Sequence, residues 1–335
     1  MVAIIVTMIL MFVITLIVLG FSEATRRNQR ESLDTQLGTQ AYYAAETGVN
    51  DVVKALNGGT TLAANNGCSN GSVVPRSLTS DNSVANTCLM INPFPATFEV
   101  DSISASSESV VWRVKNANGN PFLSLTFGWE AGNGASGPCN STAGNYPTVA
   151  GWDCDRGLLR ADIIRADVGS TDAAVLAANT ATLYMQPNAS AQQNINLATF
   201  DSTTNGKVTA YQGSCDVDTT ARPSTCKVTV NMTTPATQTS EYYVRLTALY
   251  HDAEDVRLTG IDFLGATKFK DGQVVIDSTG RAQDQLKRIR VVVPLTLTGD
   301  TVPTSAVQSA GSTCKDILIP GSNYQAGACQ NIWPN

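Results

Sequence analysis

The sequence predicts an α+β fold: a long N-terminal α-helix, half hydrophobic and half amphipathic, packed on an antiparallel β-rich globular head with disulfide-clipped loops. Three observations carry this. Residues 1–21 hold no charge and are interrupted only by Thr7, Thr15 and Gly20. A row of small and apolar residues continues from there at helical spacing to residue 56. Beyond residue 57, short β-branched and aromatic runs alternate with stretches rich in Gly, Asn, Ser and Thr. The domains therefore read as 1–57 for the helix, with 1–21 as its hydrophobic segment, and 58–335 for the head. A further division of the head is expected between 58–155 and 156–335.

Of 335 residues, 43% are hydrophobic and only 15% charged, against about 25% charged in an average globular chain. The apolar share rules out wholesale disorder. A net charge of −6 without any basic block argues against a nucleic-acid partner, which would ask for a stripe of Lys and Arg. One histidine, His251, leaves little for His-based metal or triad chemistry. Eight cysteines, none at CxxC spacing, are the usage of an exported, disulfide-stapled chain.

At 1.5 Å per residue, the run from Met1 to Phe21 covers about 30 Å, the hydrocarbon thickness of a bilayer. A cleaved signal peptide would show a basic start, a shorter apolar core and a small-x-small cleavage site. None of these stands here, so the segment is expected to remain as a membrane-spanning helix. Its apolar side chains are Ile4, Ile5, Met8, Leu10, Met11, Phe12, Ile14, Leu16, Ile17, Leu19 and Phe21, and Gly20 is its one weak point. From Glu23 to Leu56 there is no proline, and Leu33, Leu37, Ala41, Ala45, Val49, Val52 and Leu56 fall on one stripe expected to pack on the head. Asn57-Gly58-Gly59 supplies the stop. One helix of about 80 Å follows. Arg26, Arg27 and Arg30 flank the C-terminal side of the span, where the positive-inside rule would place the head in the cytoplasm. Disulfides demand the opposite side. The conflict disappears if a short basic leader preceded Met1 and was removed, which makes Met1 a processed N-terminus.

Residues 57–88 read as a long loop. Strand signals follow at Ala96–Val100, Ser109–Lys115, Phe122–Trp129, Leu158–Val168, Thr180–Met185, Lys227–Met232 and Tyr242–Tyr250. Asp271-Gly272 marks a hairpin between 267–269 and 274–276. Arg288–Thr298 alternates, and Pro294 assigns it to a sheet edge. Nearest-neighbour pairing of the cysteines gives Cys68–Cys88, Cys139–Cys154, Cys215–Cys226 and Cys314–Cys329, each clipping a loop-rich stretch for about 2–4 kcal/mol.

The apolar N-terminus running into QAYYAAETGVNDVVKAL (Gln40–Leu56) resembles the type IV pilin superfamily, above all its large minor pilins. Tyr242–Gly260 and the stretch VVIDSTGRAQDQLKRIRVVVPL (Val274–Leu295) resemble the closing strands of the same proteins. The resemblance implies a subunit stored in the cytoplasmic membrane and then polymerised through its helix into an extracellular filament. It implies partners as well: identical or related pilin subunits, membrane lipid before assembly, the pilus assembly machinery, a prepilin peptidase, and a host or other cell surface. Adhesion, twitching motility, methylation of Met1 and an exposed Cys314–Cys329 loop are further implications. Major pilins carry Glu at the fifth mature position and many carry Pro at the twenty-second; Ile5 and Ser22 stand here. A minor or tip pilin is the first alternative, a membrane-tethered monomeric binding module the second, and a tethered hydrolase the third.

No enzyme, cofactor or metal is expected. Gly132–Gly137 fits GxGxxG, but Pro138-Cys139-Asn140 follows where a dinucleotide site needs a helix start. His251, Asp252, Glu254 and Asp255 are the densest ionisable group, and they read as a solvated turn at a strand end. Asp153/Asp155 and Asp216/Asp218 lack the glycine and distal Glu of a calcium loop.

Overall fold

The computed structural model describes residues 2–68, 83–106, 109–131, 156–167, 178–187, 194–200, 211–215 and 225–295, with shorter pieces at 74, 152, 154, 175, 203–204, 207–209 and 317–318. One helix, α1 (Val2–Asn57), opens the chain. It is followed by β1 (Val84–Asn92), β2 (Thr97–Ile103), β3 (Val110–Asn116), β4 (Ser124–Ala131), β5 (Leu158–Arg165) and β6 (Thr180–Pro187). The shorter β7 (Asn194–Leu197), β8 (Thr203–Thr204), β9 (Lys207–Thr209) and β10 (Tyr211–Cys215) come next. Then follow β11 (Thr225–Met232), β12 (Glu241–Leu249), β13 (Ala253–Asp262), β14 (Gly265–Ala266) and β15 (Phe269–Lys270). The order ends with β16 (Gln273–Ala282), β17 (Gln285–Pro294) and β18 (Ile317–Leu318). The class is α+β.

The chain divides into two compact units, Met1–Asn92 with Val275–Val293, and Pro93–Val274 with Pro294–Asn335. In the first, the helix packs on a three-stranded sheet of order β1-β16-β17. β1 runs antiparallel to β16, from Val84 opposite Ala282 to Asn92 opposite Val275, with a bulge between Asn86 and Cys88. That bulge hides the alternation, which is why residues 84–88, expected as loop, are strand. The segment after the helix returns to the outer edge of β1. There Asn65 and Ile91 exchange backbone hydrogen bonds of 2.8 and 2.9 Å, and the Asn65 amide donates to the Leu89 carbonyl. β17 is the opposite edge of the sheet and ends on Pro294, the position its proline predicts.

The second unit holds two larger sheets, β10-β6-β5-β12-β3-β15 and β14-β13-β4-β11-β7, with β2 also paired to β13. Their inner residues, among them Phe98, Trp112, Phe127, Trp129, Leu159 and Leu246, form one core. β12 shows the pattern plainly: Tyr242, Val244, Leu246 and Ala248 are buried, and the residues between them only partly so. Antiparallel pairing dominates, but β6–β10, β7–β11 and β9–β18 are parallel. All three of these parallel pairs are separated by long connections, which parallel neighbours require.

Two readings of local structure change. Asp271 takes a positive φ of 61°, yet β15 pairs with β3 and β16 with β1, so Asp271-Gly272 joins two sheets and closes no hairpin. Of the group read as a turn, His251 and Asp252 are exposed in the connection before β13, whereas Glu254 and Asp255 belong to that ten-residue strand. A bulge between Glu254 and Arg257, with Asp255 at φ 46°, turns both Ala253 and Val256 inward.

Candidate functional site

The first half of α1 presents its side chains to the outside all the way round. Ile5 is 58% exposed, Leu10 57%, Phe12 66% and Phe21 72%. Met8, Met11, Ile14, Leu16, Ile17 and Leu19 are likewise exposed, whereas Met1 and the Ile4 side chain lie outside the described residues. The few polar groups close on the helix itself: the Thr15 hydroxyl donates to the Met11 carbonyl and the Thr25 hydroxyl to that of Phe21, each at 2.8 Å. The helix continues without a break through Gly20. At about 1.5–3 kcal/mol for each such side chain, keeping this stretch in water costs on the order of 20 kcal/mol. That exceeds the stability of an ordinary domain, about 5–15 kcal/mol. A membrane or other protein must cover it. By length and composition the helix can cross a bilayer.

One turn beyond the span stand Arg26, Arg27 and Arg30, all exposed. Among the described residues none of the three enters an ion pair, although Glu23, Glu31 and Asp34 lie at helical reach of them.

The second half of α1 docks on the small sheet. Ala41, Ala45 and Val52 are fully buried and Val49 nearly so; Leu37 and Leu56 are half-buried. Leu33, expected on this face, is 57% exposed, because the stripe meets the sheet only from Leu37 onward. The contact is backbone-close. A methyl group on Gly280 of β16 would lie 2.1 Å from the Ala41 carbonyl oxygen and 2.4 Å from the Ala45 nitrogen. One on Gly48 would lie 2.0 Å from Nδ2 of Asn86. Small residues on both elements therefore let helix and strand meet, and two polar side chains tie them. Asn86 Nδ2 donates to Ser278 Oγ at 2.7 Å and to the Ala44 carbonyl at 3.3 Å. Ser278 Oγ donates to the Ala45 carbonyl at 2.6 Å. Sequence reasoning missed Gly280, Asn86 and Ser278. The available signal was a glycine inside a strand pattern, in DSTGR, which marks close approach of another backbone. At the far end Gly58 and Gly59 donate to the Lys54 and Leu56 carbonyls, with Gly59 at φ 75°.

A disulfide joins Cys68 to Cys88 on β1. Cys154 and Cys226 are also disulfide-bonded; Cys139, Cys314, Cys329 and the Cys215 side chain lie outside the described residues. A shallow groove of about 400 Å³ follows the helix at Asp34, Gly38, Tyr42 and Tyr43, with Gln285 and Lys287 of β17 on its other wall.

The remaining candidates do not converge. The Gly132–Gly137 stretch and Asp153, Asp155, Asp216 and Asp218 lie outside the described residues. Asp252 accepts the backbone N–H of Ala105 at 2.8 Å. Burial and the neighbouring Asp255 carboxylate push the Glu130 carboxyl above its ordinary pKa, against the pull of Arg257. Among the described residues no group of three His, Cys, Asp or Glu side chains is placed to hold a metal ion. In the second unit Asp162 is buried and held by Arg160, Arg245 and the Thr182 hydroxyl. Burial alone would raise its pKa, but these three partners together hold it below the ordinary carboxylate value.

Residues 2–50 match the family model described as PilX N-terminal, a type IV pilus minor-pilin family, which supports a place for this segment in the type IV pilin-like superfamily. The matched stretch takes in the exposed apolar half of α1 and most of its docking face, through Val49. No curated protein and no solved structure matches the chain.

Proposed function

We propose that this chain is a minor subunit of a type IV pilus or pilus-like surface filament. The observation that carries the reading is one unbroken helix with two environments: a half bare of cover on every side, and a half seated on the chain's own sheet through Ala41, Ala45, Gly48 and Gly280. Such a helix is fixed at one end and must find apolar surroundings at the other. Lipid supplies these first, and the helices of identical or related subunits supply them in the filament. One apolar environment replaces another, so close packing and contacts between folded parts select the filament, and an assembly machinery does the work.

A minor role fits the match of residues 2–50 to the PilX N-terminal family model. Processing by a prepilin peptidase, methylation of Met1, and adhesion or motility at a host or other cell surface belong to the same proposal, as does a structural rather than catalytic role. The test is quantitative. Filaments sheared from cells should contain the chain in trace amounts beside a bulk subunit. Recovery in bulk would make it the major subunit, and recovery only in detergent-extracted membranes would make it a monomeric tether.

A further inference from the structure

The arginines beyond the span stand on the wrong side for topology. The Cys68–Cys88 disulfide belongs to the same unit as α1 and requires an oxidising compartment. Arg26, Arg27 and Arg30 therefore lie on the non-cytoplasmic side, where orientation asks for no positive charge. Their placement calls for another physical reason. They lie within about 100° of arc and about 6 Å of rise on a straight helix, so three guanidinium groups form one compact patch. Phe21 closes the apolar run, and the patch starts about 7 Å and ends about 14 Å beyond it. That is the depth of the headgroup layer and its water boundary, within reach of an arginine stem that folds back toward the interface.

We infer that Arg26, Arg27 and Arg30 bind the phosphates of anionic phospholipids in the non-cytoplasmic leaflet, and so fix the depth at which the stored subunit waits. This rests on the membrane-stored stage of the function proposed above. Three details favour phosphate over carboxylates of a second copy. All three residues are Arg and none is Lys, and the planar guanidinium matches phosphate oxygens in pairs. Glu23, Glu31 and Asp34 on the same helix already offer carboxylates at the right spacing, and among the described residues no ion pair forms with them. The overall charge of −6 disfavours drawing copies together by attraction alone.

The full chain, reconstituted in phosphatidylcholine vesicles, tests this by competition between spin-labelled phosphatidylglycerol and spin-labelled phosphatidylcholine for the lipid shell around the protein. The native chain should prefer the anionic lipid severalfold, and each single Arg→Gln substitution should remove a part of that preference. The preference should vanish in R26Q/R27Q/R30Q and at about 1 M salt, where screening acts within about 3 Å. Inorganic phosphate at equal ionic strength should do no more than chloride, since the source is the lipid. Equal preference in native and triple variant overturns the assignment. So does a preference that appears only when the lipid-to-protein ratio is raised, which would mean that the arginines pair with neighbouring copies when crowded. Failure of the chain to insert into vesicles at all would instead strike the membrane-stored stage, and with it the proposed function. Trace incorporation of the triple variant into sheared filaments would leave that function standing.

Discussion

Gly280 is the residue on which the seat of the helix turns. A methyl group there meets main-chain atoms of Ala41 and Ala45, which cannot swing aside as a flexible side chain would. Gly280→Ala should therefore destabilise the first unit by about 3 kcal/mol, as overpacking does when backbone must move. Thermal unfolding followed at α1 checks this, and an unchanged midpoint would refute the close contact. Asp162 makes a second, independent case. Its folded pKa lies below the unfolded value of about 3.9. The stabilisation it supplies is complete above about pH 5, where the unfolded carboxyl is also ionised, and is lost as pH falls through the folded pKa. Asp162→Asn should lower stability at pH 7 by about 3 kcal/mol, since it leaves Arg160 and Arg245 without their shared carboxylate. Melting curves of the variant should also be flatter than the native ones between pH 5 and pH 3.

At the scale of the element, α1 combines two helices with opposite needs. Leu10→Asp places a charge at the middle of the apolar half, where insertion costs about 3 kcal/mol. Filament incorporation should be abolished, while the near-ultraviolet circular dichroism of the folded part stays native because Leu10 touches none of it. Normal incorporation would sink the proposed function. This element was the most legible part of the sequence. Its boundaries, its all-round apolar half and its glycine stop follow from composition and spacing alone, and the structure runs from Val2 to Asn57. The strands were legible where alternation is regular, as in β12, and illegible where a bulge breaks it. β1 and β13 both carry bulges, at Asn86–Cys88 and Glu254–Arg257, and both were misread at those residues. The seat of the helix was half legible. Ala41 and Ala45 announce a small-residue face, but nothing local in the sequence joins Asn86 and Ser278, which are 192 positions apart.

At the scale of the molecule, removal of residues 1–24 takes away the surface that water cannot hold and leaves Ala41–Val52 on the sheet. The shortened chain should be soluble without detergent and monomeric by sedimentation, with the native disulfide between Cys68 and Cys88. Fibre formation by this shortened chain would contradict the model of assembly.

The sheet that receives α1 takes one strand from just after the helix and two from Val275–Val293, with all of Pro93–Val274 made in between. Translation and export thus deliver the helix first and its last supporting strands near the end. A product cut short by a stalled ribosome or a protease keeps the greasy tail but has no Gly280 to receive Ala41 and Ala45, and no Ser278 for Asn86. Closure of so long a loop is also slow. The seat of the helix is therefore complete only in a chain finished through β17.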